Sequence, residues 1–206
     1  MISATKVKEL RERSGAGFMD CKKALQAVDG DLEKAVDHLR KTGIAKAQKK
    51  AGRSTKEGSV THYIHPGSKL GVLVEINCET DFVARTEGFI DFTKDIAMHI
   101  AAAAPLVVNR EDVDPSLIER EREVLIEQAR QSGKPENIIE KMVDGRLEKY
   151  FAENVLLEQA FVKDPDKSVK DLLTDTIATL GENISISRFT RFQLGEMSQN
   201  GALSQD

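Results

Sequence analysis

Residues 115–158 limit what this chain can fold into more than any other stretch: PSLIEREREVLIEQARQSGKPENIIEKMVDGRLEKYFAENVLLE. Ile118, Leu125 and Ala129 recur at helical spacing in its first half, and Ile139, Val143, Leu147 and Phe151 in its second, in a stretch that is otherwise highly charged. Ser132-Gly133-Lys134-Pro135 supplies the break, with Gly133 past the first helix and Pro135 opening the second. A helical hairpin is predicted. Narrow apolar seams on long charged helices suit a protruding antiparallel coiled coil, in which only the mutual face is dry. The same pattern also fits two ordinary helices laid on a core.

On either side of this hairpin the period of the apolar residues changes. GSVTHYIH at 58–65 alternates Val60, His62 and Ile64 against Thr61, Tyr63 and His65, and Pro66-Gly67 then turns the chain into LGVLVEIN at 70–77. Two antiparallel strands follow from that pattern. Phe89, Phe92, Ile96 and Ile100 return to helical spacing in a run that Pro105 closes, so a helix should lie across the sheet. In ISISRFTRFQL, Ile184, Ile186, Phe192 and Leu194 share one parity, which predicts a third strand with one buried face. The fold class is α+β, an antiparallel sheet packed with helices.

The first 43 residues carry a different signal, a close succession of helix caps and stops. Ser3 caps a helix bearing Val7 and Leu10 that ends at Gly15; a second, around Met19 to Val28, stops at Gly30; Asp31 caps a third, with Leu32, Ala35, Val36 and Leu39 on one face and Gly43 beyond it. Three short helices give a bundle whose core is too small to enclose a catalytic cleft. Charge divides along similar lines. Residues 1–56 hold 14 Lys and Arg against 7 Asp and Glu, whereas residues 57–206 hold 16 against 27, so a net +7 is followed by −11. Such a split suits separate electrostatic tasks, the first on an acidic protein or nucleic-acid surface. These readings divide the chain into a three-helix module over 1–43, a basic linker over 44–57, a core over 58–195 containing the helical hairpin at 116–161, and a flexible tail over 196–206.

Patterns for enzymatic chemistry are weak. SGAG at 14–17 precedes a helix but lacks the Gly-Lys-Ser/Thr ending of a phosphate cradle, so a helix cap is the better reading. His62 and His65, three apart on a strand, point to opposite faces, and neither Cys21 nor Cys78 has a neighbouring ligand at metal-binding spacing. Cys78 and the distant His99 have no local signature of a nucleophile and its base. No metal, cofactor or catalytic residue is predicted. The absence of an apolar run long enough to span a bilayer or act as an export signal predicts a cytoplasmic protein with no membrane partner, in which reduced thiols are expected.

One corner resists a reading from periodicity alone. In NCETDFVART, at 77–86, a strand should give way to a helix at Thr80-Asp81-Phe82-Val83. Structurally, Thr80 serves as N-cap, Asp81 favours the helix dipole, and Phe82 and Val83 pack inward. Alternatively, Phe82 points outward as an anchor for a partner's pocket, with Asp81 beside it as a polar companion.

Several runs, in order, carry a family resemblance: LRERSGAGFMDCKKAL, NCETDFVA, AMHIA, SGKP with EKMVDGRLEKY, and LGENISISRF. Together they resemble the bacterial elongation factor Ts family over nearly the whole chain. The resemblance implies a non-enzymatic guanine nucleotide exchange factor for elongation factor Tu, engaging its GDP-bound and nucleotide-free forms. It also implies that the N-terminal helices are similar to ubiquitin-associated domains and that the hairpin is a protruding coiled coil. By motif position it assigns exchange contacts to Thr80, Asp81, Phe82 and Val83, with Phe82 as the wedge near the partner's magnesium and phosphate site. Docking contacts fall on Arg11, Phe18, Met19 and Lys22, although family members often have methionine where this chain has Phe18. Leu180 and Gly181 are secondary contacts. The chain resembles the short form, in which two copies supply what one long chain does, and a homodimer is therefore implied. A competing reading from the charge split is an RNA- or ribosome-binding accessory protein using the basic N-terminal region; the exchange reading requires no direct nucleic-acid contact.

Overall fold

The computed structural model describes residues 2–131 and 135–196. Two compact units are built from interleaved segments: one from the N-terminal chain up to Ser59 with Ile76–Phe92 and Lys170–Ile186, the other from Val60–Glu75, Thr93–Val169 and the described chain from Ser187 on.

The first unit opens with helices α1 (Ala4–Ser14), α2 (Phe18–Ala27) and α3 (Leu32–Gln48). Their ends follow local chemistry. The Ser3 hydroxyl accepts from Lys6 N, Gly15 ends α1 at a φ of 66°, and the Asp31 carboxylate accepts from Lys34 N to start α3. Val7, Leu10, Cys21, Ala24, Leu25 and Ala35 form the small core of these helices, with Leu32, Val36 and Leu39 packed at its edge.

The expected stop at Gly43 is wrong, because α3 continues to Gln48. Gly43 is buried and keeps a helical φ. A Cβ there would lie 3.4 Å from the Ala178 Cβ of α8 (Val169–Leu180), so the glycine is an interior position of α3 with α8 packed beside it and not a turn. Arg40 and Asp171 add an ion pair at 3.6 Å between the same two helices.

Strands β1 (Glu57–Ile64), β2 (Leu70–Cys78) and β5 (Ile184–Gln193) form one sheet in the order β1-β2-β5, with the antiparallel register that the Leu194 N to Lys69 O bond also reflects. Val72, Val74, Ile76 and Cys78 give β2 a buried parity. A hairpin of β3 (Ala160–Phe161) and β4 (Asp164–Ser168) is separate from that sheet. The α+β class read from the sequence is therefore observed.

Strand β5 departs from the expected pattern. Ile184 and Ile186 are buried, but Phe192 and Leu194, on the same parity, are 65% and 75% exposed. One buried face does not run the length of the strand, since neighbouring chain covers only its first half. Gly58 shows how closely β1 and β2 approach in the first unit. It sits at φ +140°, and a Cβ there would collide with the Ile76 carbonyl oxygen and lie 2.6 Å from the Asn77 Cα, so the position needs glycine.

In the second unit, α6 (Pro115–Gln131) and α7 (Glu136–Asn154) form the helical hairpin. Leu125, Ala129, Ile139, Val143 and Leu147 are its buried seam, flanked by Ile118, Ile126 and Phe151, as the spacing required. Ser132, Gly133 and Lys134 of the expected break lie outside the described residues, as does the expected tail beyond Glu196. Arg110 fixes the open end of the hairpin: its guanidinium bonds Glu148 at 2.8 and 2.9 Å and Glu158 at 2.6 and 2.7 Å, and stacks over the Phe151 ring at 4.2 Å. Buried His99, on α5 (Glu87–Ala103), is held by Gln159 and by the Val162 backbone N–H. Among the described residues, no helix is long and apolar enough to cross a membrane.

Candidate functional site

The TDFV corner is built from the end of β2 outward. Cys78 is buried, and its thiol donates to the Thr80 carbonyl at 3.1 Å. Thr80 then takes extended backbone angles, φ −133° and ψ 154°, and its hydroxyl caps the single turn α4 (Asp81–Ala84) by accepting from Val83 N. Asp81 sits in the first turn and pairs with Arg85 at 2.9 Å. At the far end, the Thr86 hydroxyl donates to Val83 O and accepts from Phe89 N, closing α4 and opening α5 within one residue.

Such a short helix has two ends to anchor and little interior. The cap and the acidic first residue follow the structural reading of the sequence. Phe82 does not: its side chain is 79% exposed, more than any other large apolar side chain among the described residues, while Val83 is half-buried. An aromatic ring kept in water at a tightly hydrogen-bonded corner forgoes about 1.5–3 kcal/mol of possible burial. That ring is available to something outside the chain.

What holds the corner comes from the LGENI run, more than 100 residues away in sequence. The Glu182 carboxylate accepts two bonds from Thr80, from its backbone N–H at 3.0 Å and its hydroxyl at 2.7 Å. Glu79 reciprocates by accepting from the Asn183 backbone N–H at 2.7 Å. Each acidic residue thus receives a main-chain donor from the other's neighbour. The Asn183 N–H, with Arg53 adding to it, holds the Glu79 carboxyl below the usual carboxylate range. Arg53 approaches Glu79 at 3.4 Å, and the Asn183 side-chain amide donates to Arg53 O at 2.8 Å. Burial, and then the nearby Glu182 charge, push the Cys78 thiol up, so it remains protonated and unreactive.

Leu180 and Gly181 border this clamp. Leu180 is half-buried, with Cδ2 3.2 Å from where a Cβ on Gly88 would stand. Gly181 is exposed at φ +80°, and its carbonyl accepts from the Lys50 ammonium. The remaining predicted residues, Arg11 on α1 and Phe18, Met19 and Lys22 on the first turns of α2, are all solvent-exposed, Phe18 at 49% and Met19 at 58%. The structure therefore joins the TDFV and LGENI runs into one hydrogen-bonded site and places the other four on the surface of the N-terminal helices. No group of three or more His, Cys, Asp and Glu side chains suited to hold a metal occurs among the described residues.

The family model described as Elongation factor TS matches residues 22–196, which include both halves of the clamp. The chain belongs to the elongation factor Ts family. Similar curated relatives named Elongation factor Ts include one from Geotalea daltonii, 63% identical over 95% of this chain and 90% of its own length. Others are from Carboxydothermus hydrogenoformans, 62% identical over 95% and 90%, and from Geobacter sulfurreducens, 60% identical over the same shares. Membership in the elongation factor Ts family places the chain among factors of translation elongation.

Sequence reading singled out Phe82 in this member of the elongation factor Ts family, left open whether its ring points outward, and missed what positions it. Glu79, Glu182, Asn183 and Arg53 form the support, and none was assigned to this site beforehand. Their one available signal was placement: an acid immediately before Thr80 in one run and immediately after Gly181 in the other.

Proposed function

We propose that this chain is a guanine nucleotide exchange factor for elongation factor Tu, acting in the cytoplasm through the TDFV corner. Phe82 is the wedge, entering the GTPase domain of the partner beside its magnesium and phosphate site, with Asp81 as polar companion and Thr80 and Val83 completing the contact. The three-helix module, whose last helix runs on to Gln48, docks on the same domain through Arg11, Phe18, Met19 and Lys22. Leu180 and Gly181 form a secondary contact. The observation that carries this reading is Phe82, 79% exposed on a one-turn helix whose N-cap, Thr80, is clamped from a distant run.

Chemically, the factor makes and breaks no covalent bond. If it and GDP with magnesium favour different shapes of one GTPase, each weakens the other's binding by the same factor, and a coupling of about 3 kcal/mol corresponds to about 150-fold in affinity. A buried aromatic anchor supplies about 2 kcal/mol or more of such energy. Exchange is then a population shift in the partner.

The factor acts as a homodimer in this reading. Support comes from Ile64, Leu73, Phe192 and Leu194, between 48% and 75% exposed, which line one apolar groove on the second unit. A second copy of the same surface would dry these side chains.

Stopped-flow release of a fluorescent GDP analogue from elongation factor Tu tests the function. Acceleration rising to a plateau with added factor is expected; a release rate unchanged at every concentration would overturn the proposal.

A further inference from the structure

Resting on the exchange reading, we propose that Glu182 is a positioning residue for Phe82: its carboxylate fixes the start of the wedge helix and so sets how fast a docked partner loses its nucleotide. Three observations converge. The helix carrying Phe82 has only four residues, far below the length at which a helix is stable by itself. Phe82 obtains little orientation from burial, being 79% exposed. The direction of α4 is therefore set at its ends, and at the N-terminal end the backbone N–H and hydroxyl of Thr80 both donate to the two oxygens of Glu182, at 3.0 and 2.7 Å.

The arrangement specifies a carboxylate. Thr80 presents two donors to one side chain, and only an ionised acid offers two acceptor oxygens. Glutamine keeps the length but offers one acceptor oxygen: with that oxygen on the Thr80 N–H, its NH2 group must donate to the hydroxyl, which reverses the second bond, turns the hydroxyl hydrogen away and removes the charge assistance from both. The Thr80 hydroxyl must donate to Glu182 while its lone pairs accept from Val83 N, so a misplaced hydroxyl also loosens the cap. Glu79, bonded to Asn183 N at 2.7 Å, keeps the run bearing Glu182 in register with the run bearing Thr80. Docking residues on α1 and α2 do not enter this clamp. Its loss should slow exchange in the complex more than it weakens complex formation.

The test is a double-mutant cycle of Glu182→Gln and Phe82→Ala, read by stopped-flow GDP release across a concentration range of factor. The folded state is monitored by thermal melting, and amide hydrogen exchange is followed at residues 80–84. Expected is a fall of about tenfold in the plateau rate for Glu182→Gln, with the half-saturating concentration changed by about twofold or less, and faster amide exchange at Thr80 and Val83. In the Phe82→Ala background the same change should have almost no further effect on the plateau, because no wedge remains to be positioned. A wild-type plateau in Glu182→Gln, or a loss that multiplies fully with that of Phe82→Ala, would overturn the positioning role while leaving the exchange reading intact. No acceleration by the unmodified protein would overturn both. If Glu182→Gln does not fold, Thr80→Val removes the hydroxyl donor from the same carboxylate and is judged in the same cycle by the same outcomes.

Discussion

Replacing Gly58 by alanine should cost far more than its single methyl group suggests. Two terms contribute. The backbone there, at φ +140°, lies in a region reserved for glycine, and forcing another residue into it costs about 1–3 kcal/mol. The added Cβ would also collide with the Ile76 carbonyl oxygen and stand 2.6 Å from the Asn77 Cα. Both obstacles are backbone atoms of a paired strand, so relief requires β1 and β2 to separate, with loss of about one neutral hydrogen bond, or roughly 1 kcal/mol. The combined cost of roughly 2–4 kcal/mol is a large part of the 5–15 kcal/mol typical of a domain, and should lower the melting temperature by roughly 4–16 °C. Gly15→Ala is the internal comparison, since Gly15 has φ +66° with nothing within 4 Å of its added Cβ and carries conformational strain alone. Thermal and urea unfolding of both variants measure the difference. If Gly58→Ala melts at or above Gly15→Ala, the close approach of β1 to β2 is wrong.

Burial, opposed by the Gln159 hydrogen bond, holds His99 below the usual imidazole value, and its bonds to Gln159 and Val162 N require the neutral ring. Its stabilising contribution should be complete above the unfolded value of about 6.5 and be lost as pH falls from there toward the folded value; urea midpoints from pH 7.5 to 5 that run parallel for wild type and His99→Gln would contradict this. Arg110→Ala should destabilise the protein by about 1–3 kcal/mol, from lost paired hydrogen bonds and ring stacking, with a smaller loss at high salt. Equal urea midpoints for that variant and wild type would show the hairpin's open end to be held otherwise. Cys21 and Cys78 are both buried, so a thiol reagent at neutral pH should label neither before unfolding; rapid labelling of the native protein would refute the burial of these residues.

Legibility in the sequence followed the range of the interaction. Helix caps act within three residues, and Ser3, Asp31 and Thr80 are caps as expected. The α6–α7 seam was equally readable, because seven apolar residues at a steady period report a dry face whatever lies elsewhere. Gly43 misled, since a glycine that ends a helix and one inside a helix packed against another are the same letter. Strand β5 misled for a related reason: alternation gives parity, but Phe192 is exposed and Ile186 buried according to which chain segments cover each half. The orientation of Phe82 was undecided because a single turn has no periodicity to read. Its support was invisible, as the bonds from Thr80 to Glu182 span 102 positions and no local rule links them.

The central claim is that Phe82 drives exchange from an exposed, pre-positioned site, and Phe82→Ala tests it most directly when binding and GDP release are measured on the same preparation. With the ring 79% exposed, truncation should cost the free protein only about 0.5 kcal/mol of stability. Removing an anchor worth about 2 kcal/mol should instead slow the stimulated release at saturation by about 30-fold. A folded variant that still binds elongation factor Tu but releases GDP slowly is the predicted result. A folded variant with the full wild-type plateau would contradict the account.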